Sequence, residues 1–389
     1  MTDTRPASAG VEPTGVRIVA LDVMRGIAIL GTLGSNIWIF SDPIGPAAAL
    51  TSLQGTGPLE QVLLALTNGK LLALLTLMFG IGLELQYQSA RRRGMRWPGR
   101  YLWRATLLFV EGLLHYILIF EFDVLMGYAV VAILVSYLIG RSRRVIRAWI
   151  LVQASLGCIL VGLITAVQLL APDTDPAPAP LRPAESWLGQ VTTRLELWPL
   201  FRSELVLIVP FGVALFGIGA LVMRAGAFED NANGARLRRR LMRVGLGVGV
   251  PLNVLTALAG PEWFFVDRYV VPPVVALGLL GLIPTVLYRM RTTPGVLRRG
   301  LTSVGRTALS CYVFQNLLAS VLCYSWGLGL AERWDPARPV SVILLWLLIV
   351  VCFMVLSTVW LRRFRRGPLE TAWQWAYELG RGQDRAARG

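Results

Sequence analysis

About ten apolar stretches follow one another along this chain, most of them near the twenty residues that a helix needs to cross a bilayer. The connections between them alternate. Residues 91–104, 141–147, 224–243, 289–306 and 362–366 are crowded with arginine, whereas 41–61, 121–123, 171–198, 262–267 and 331–339 are poor in basic residues. Basic residues collect on the cytoplasmic side of membrane proteins. The alternation therefore predicts an all-α, polytopic integral membrane protein with about ten transmembrane helices and both termini cytoplasmic. Composition agrees: the chain is 55% hydrophobic and only 16% charged over 389 residues, which excludes an ordinary soluble domain. The formal charge of +15 is then explained by topology and lipid headgroups, and no nucleic-acid partner is expected.

The expected organisation follows the same pattern. Residues 1–15 are polar and read as a disordered leader. Residues 16–171 form an N-terminal half of five spans, near 21–40, 62–85, 101–120, 124–138 and 148–170. Residues 172–199, rich in Pro and Ala, read as an external loop. Residues 200–366 form a C-terminal half of five more spans, near 200–223, 244–258, 270–287, 308–330 and 340–360. Residues 367–389 form a basic tail in which Leu369, Trp373, Ala376 and Tyr377 recur at helical spacing, fitting an amphipathic helix on the inner surface or a packed terminus. The four cysteines lie in apolar runs without metal-ligand spacing, so neither a disulfide framework nor a metal site is expected.

Costly polar groups mark where such a chain could work, because ionisable side chains inside spans normally face the protein interior or a wet cavity. In the first span Asp22, Arg25, Thr32 and Asn36 fall on one helical stripe. The third carries Arg104, Glu111 and His115, and Asp123 lies in the turn beyond it. Arg25 and Asn36 are eleven residues apart, about 16 Å of helix, as are Arg104 and His115. Both spans run inside to outside. The arginines are therefore expected near the inner side, with the amide and imidazole near the outer. Lys70, the one lysine, enters from the outside in the second span and is expected beside this cluster, able to neutralise Glu111. The plain alternatives are an interfacial Asp22–Arg25 pair and a structural, hydrogen-bonded His115.

Several motifs carry a family resemblance. Leu21-Asp-x-x-Arg-Gly with Asn36, Gly69-Lys70 followed by Met78-Phe-Gly-Ile-Gly82, and Gly112-Leu-Leu-His115 leading to Asp123 and Tyr128 resemble the YeiB family. Val304-Gly-Arg-Thr-Ala-Leu309, Tyr312 and Gln315, with Gly367-Pro-Leu-Glu370 and Trp373, resemble its C-terminal domain of unknown function 418. That family is similar in turn to transmembrane acyltransferases, which move an acyl group from cytoplasmic acyl-CoA to a sugar hydroxyl or amine across the membrane. Bacterial acyltransferases of type three have a histidine eleven residues after the first-span arginine. Here Asn36 stands in that place, so the base is not carried over from that position. The histidine-bearing loop of the heparan-type enzymes has no counterpart either.

An acyltransferase reading needs a base, an oxyanion donor and phosphate contacts, and on that first reading the roles fall as follows. His115 is the base, oriented by Glu111 or Asp123, and Asn36 donates to the oxyanion. Arg25, Arg104 and Arg306 contact phosphates, with Asp22, Lys70 and Gln315 also in the substrate-binding set. Acyl-CoA is the donor substrate, no cofactor is held tightly, and the acceptor is an envelope glycan or lipid reached from the bilayer. A proton-coupled transporter using the same Asp, Glu, Lys and His as a relay is the second reading, and a non-catalytic membrane scaffold the third.

Overall fold

A computed structural model describes residues 18–43, 58–170, 186–290 and 293–386. The expected leader 1–15, most of the connection 41–61 and the Pro-rich stretch 171–185 lie outside these. The described residues are helical throughout, with no strand among them, and form an all-α polytopic membrane protein. Seven helical segments are long and apolar enough to cross a membrane: Val19–Phe40, Leu59–Arg92, Arg143–Leu170, Trp198–Arg224, Ala232–Leu258, Pro261–Arg289 and Val340–Arg363. Leu125–Leu138 and Ala308–Cys323 are apolar but shorter. Tyr101–Leu118, with Arg104, Glu111 and His115 inside it, is not among the seven.

The chain opens with five helices: α1 (Val19–Phe40), α2 (Pro58–Thr67), α3 (Lys70–Arg92), α4 (Tyr101–Leu118) and α5 (Leu125–Leu138). α1 is buried along most of its length, from Ala20 to Phe40, so it is the axis on which the others pack rather than a lipid-facing span. α6 (Arg143–Leu170) is the opposite. Leu151, Val152, Ile159, Leu163 and Val167 are all at least 59% exposed, the signature of a helix whose outer face meets lipid.

The segment that reads as the second span is interrupted. α2 ends at Thr67, Gly69 adopts φ +68°, and α3 starts at Lys70. A side chain at Gly69 would meet the Arg268 carbonyl oxygen, so only glycine fits this break. The segment 172–199, expected as a loop, is helical where it is described: α7 (Trp187–Glu196) and α8 (Trp198–Arg202) lead into α9 (Leu205–Arg224). The basic connection 224–243 is also largely helical. α10 (Ala232–Gly247) carries its arginines and runs on into α11 (Gly249–Leu258), followed by α12 (Pro272–Arg289).

α13 (Val296–Arg306) is a strongly amphipathic helix pressed onto the start of α1. α14 (Ala308–Cys323) continues from it after a bend at Thr307. α15 (Leu330–Arg333) and α16 (Val340–Arg363) follow. α17 (Pro368–Ala386) packs against α4 and α14 as a folded element rather than lying apart as a tail.

Candidate functional site

Three stretches of the fold carry polar groups in the same order. α1 presents Arg25, Ile29 and Asn36, α4 presents Arg104, Leu108, Glu111 and His115, and the α13–α14 pair presents Arg306, Leu309, Tyr312 and Asn316. Steps of three and four keep each set on one helix face. The outcome is a basic end and, about 16 Å of helix rise further in, an amide–imidazole end.

The basic end opens as a cavity of about 580 Å³. Arg25, Arg104, Arg306, Arg365 and Arg366 stand around its mouth, and Leu75, Met78, Phe79, Leu108 and Leu125 line its throat. Arg25 lies 3.8 Å from Asp22. Among the described residues no carboxylate pairs with Arg104: its guanidinium sits 4.4 Å from the centre of the Trp373 ring and 5.7 Å from that of Tyr377, both on α17. This cation–π arrangement fixes the group while leaving its N–H donors uncommitted. Glu370, also on α17 and also lining the cavity, is committed: it accepts from the Leu309 and Ser310 backbone amides and from the Ser310 hydroxyl, capping the start of α14. Glu111 lines the cavity deeper in, and both of its carboxylate oxygens are buried without a hydrogen-bond partner among the described residues.

Tyr312 closes the inner end. It lines the cavity, and its hydroxyl donates to Asp123 Oδ1 over 3.0 Å. The same oxygen lies 2.9 Å from His115 Nδ1. On the far side of the ring, Asn316 Nδ2 is 3.3 Å from His115 Nε2, and Asn36 Nδ2 donates to Asn316 Oδ1 at 3.5 Å. The pattern is consistent with one tautomer. Nδ1–H donates to the carboxylate, and Nε2 carries the lone pair, which accepts from Asn316. His115 and Asp123 are 2% and 1% exposed, so this group is sealed from solvent as it stands. The Phe40, Phe120 and Tyr324 rings cover it beyond, with Phe40 and Phe120 centroids 4.7 Å apart.

Asp123 owes its position to two buried arginines. Arg194 on α7 donates to Glu121 Oε1 at 3.0 Å and to the carbonyls of Ile117 and Ile119. Arg202 on α8 donates to the carbonyls of Asp123 (2.8 Å) and Glu121 and lies over the Tyr116 ring. Asp123 Oδ2 in turn accepts from Leu125 N at 2.8 Å, capping α5. A turn that would leave bare carbonyls inside the protein is thus saturated by guanidinium groups.

Not every expected residue joins this group. Asn36 reaches His115 through Asn316, Asp123 bonds His115 directly, and Arg25, Arg104 and Arg306 share the cavity mouth. Glu111 makes no bond to His115 and belongs to the cavity. Gln315 is fully buried and braces α1 by donating to the Ile29 carbonyl at 3.0 Å. Lys70 lies apart, its ammonium capping carbonyls at the end of α2, those of Ala65 and Asn68. The break at Gly69 turns its side chain back on that helix and away from Glu111. Tyr312, a motif residue with no role assigned from sequence, joins the group, and Asn316, Arg194 and Arg202 are additions. The advance signal for Asn316 is an amide inside an apolar helix; the two arginines lie in a segment expected to be a loop or at its edge and carry no signal beyond their charge.

Comparison with known proteins agrees with the motifs. Residues 222–379 match the family model described as protein of unknown function (DUF418). Over 387 aligned residues the chain is 29% identical to the uncharacterised protein YeiB of Escherichia coli strain K12, covering 92% of this chain and 95% of the relative. It is 23% identical to the uncharacterised protein YxaH of Bacillus subtilis strain 168, over 94% of this chain and 95% of that one. No solved structure matches. Both relatives align over more than nine-tenths of this chain, which is thus similar along its length to the YeiB and YxaH proteins and carries a DUF418 match in its C-terminal part.

Proposed function

We propose that this protein is an acyltransferase of the plasma membrane that takes an acyl group from cytoplasmic acyl-CoA and places it on a hydroxyl or amine of an envelope glycan or lipid. The observation that carries the reading is continuity. A cavity with five arginines at its mouth leads through an apolar throat to Tyr312, whose hydroxyl touches the carboxylate that orients His115. Arginine guanidinium groups suit phosphates. The apolar throat suits the acyl arm. A histidine held by a carboxylate at Nδ1 suits a general base acting through Nε2.

In this reading His115 Nε2 releases Asn316 and takes the proton of the acceptor hydroxyl or amine as its oxygen or nitrogen bonds to the thioester carbon. The carbonyl oxygen gains negative charge, and the Asn36 and Asn316 amides stabilise it. The carbon–sulfur bond then breaks, and the CoA sulfur leaves with the proton returned by His115. The acceptor is acylated and CoA is the thiol product.

The test is direct. Purified protein in detergent should bind acetyl-CoA and, lacking its acceptor, release CoA slowly by hydrolysis. A proton-coupled permease working through the same residues has no reason to do either. Absence of binding even at millimolar acetyl-CoA would reject the acyltransferase reading in favour of that alternative.

A further inference from the structure

Two carboxylates line the cavity among the described residues, Glu111 and Glu370, and of these and the acidic groups around them only Glu111 has no assigned task. Glu370 caps α14, Asp22 is beside Arg25, and Asp123 holds His115. Neither oxygen of Glu111 accepts a hydrogen bond among the described residues, although both are buried. An unpartnered buried carboxylate is costly, and such a group in a folded protein calls for an occupant. None of the five arginines at the mouth supplies it. Glu111 lies seven residues along α4 from Arg104, about 10 Å of rise, and four residues, about 6 Å, short of His115. Leu75, Met78, Leu108 and Leu125 line the same cavity, and no polar side chain among the described residues bonds to either Glu111 oxygen. Whatever satisfies it therefore comes in from the mouth. It has to be a hydrogen-bond donor set between an anionic end and the group that reaches Tyr312.

We propose that Glu111 reads the arm of the donor: its carboxylate accepts a hydrogen bond from an amide N–H of a pantetheine chain threaded between the arginines and Tyr312. This rests on the acyl-CoA reading above and narrows it. An acyl phosphate or a lipid ester has the anion and the acyl group but no amide N–H between them. Glu111 thus makes the cavity selective for phosphopantetheine thioesters, and it is a donor-binding residue that does not act on the imidazole.

The experiment compares two probes on purified full-length protein. Acetyl-CoA carries the arm. Adenosine bisphosphate, the nucleotide part of CoA, has the phosphates without it. Glu111→Leu should weaken acetyl-CoA by about tenfold, the scale of one lost hydrogen bond, and leave adenosine bisphosphate unchanged. Glu111→Gln, which keeps an accepting oxygen, should bind acetyl-CoA within a few-fold of the wild type. Without ligand, Glu111→Leu should melt higher than the wild type, because it removes a buried polar group with no hydrogen-bond partner. Unchanged acetyl-CoA affinity in Glu111→Leu overturns the inference. So does an equal loss for both probes, or a loss of transfer with binding intact. If the wild type binds neither probe, the acyl-CoA reading itself has failed, which is a different result from a wild type that binds both probes and a leucine variant that binds them equally well.

Discussion

Asn316 and His115 are 201 residues apart in sequence and 3.3 Å apart across a hydrogen bond from amide to imidazole. That bond occupies the Nε2 lone pair, the atom a general base would use, while Asp123 occupies Nδ1. His115 is thus oriented from both sides, and its reactive nitrogen is covered by a neutral group that can give way. The expected result for His115→Gln is a fall in acyl transfer of at least about a hundredfold, the usual scale for a general base. Acetyl-CoA affinity should stay near the wild-type value, because the arginines lie at the other end of the cavity. Normal transfer by this variant, measured by acceptor labelling, would make His115 a structural residue.

Asp123 separates orientation from folding. Asp123→Asn keeps an oxygen for Leu125 N and so keeps the cap on α5. It loses the charge that holds Nδ1–H. The asparagine variant should accumulate in membranes like the wild type and transfer acyl groups at a small fraction of its rate. Asp123→Ala removes the cap as well, at about 1 kcal/mol or more, and should lower the thermal midpoint in detergent. Equal activity of the asparagine variant and the wild type would show that the carboxylate is needed only for the turn.

Much of this was legible in the chain before folding. Arg25 and Arg104 are set at the same distance from Asn36 and His115, and helix geometry alone places each pair on one face. Asn316 and Tyr312 were not legible in that way. Their partners, His115, Asn36 and Asp123, come from helices far away in sequence, and periodicity within one helix says nothing about which helix will face it. Lys70 shows the opposite error. Depth counting assumes an unbroken helix, and the positive φ of Gly69 breaks it, so the ammonium serves the carbonyls of α2. α7 and α8 were hidden by the proline-rich stretch before them. Yet Arg194, 1% exposed, is among the best-buried side chains of the protein.

Trp373 is expected to act on the donor through Arg104. Its ring lies 4.4 Å from the guanidinium, and among the described residues Arg104 has no carboxylate to replace that contact. Trp373→Ala should weaken acetyl-CoA binding several-fold, in line with about 1 kcal/mol for a partly buried cation–π pair. Arg104→Ala should cost more, about tenfold or beyond, because a charge-assisted contact is lost outright. In the double variant the two losses should not add, because Trp373 has no effect once Arg104 is gone. Additive losses, measured by equilibrium binding, would mean that the ring touches the ligand itself.

The last prediction concerns the seam that sets the mouth. α1 and α13 touch backbone to backbone. A Cβ added at Gly305 would lie 1.8 Å from the Asp22 carbonyl oxygen, and one at Gly26 would lie 2.1 Å from that of Leu301. Neither obstacle is a side chain that could rotate away, so the helices must part to admit a methyl group. Separation costs packing over the whole seam, on the order of 1–3 kcal/mol for an overpacked contact. It also moves Arg25 and Arg306, the neighbours of the two glycines, away from each other across the cavity mouth. Gly305→Ala is therefore expected to lower the thermal midpoint and to weaken acetyl-CoA binding together, whereas Gly82→Ala, at a cavity-lining glycine with open space around the added Cβ, should leave the midpoint unchanged. A Gly305→Ala protein that melts and binds as the wild type does would show that α13 is not held against α1 at this distance, and the arginine ring would lose its structural basis.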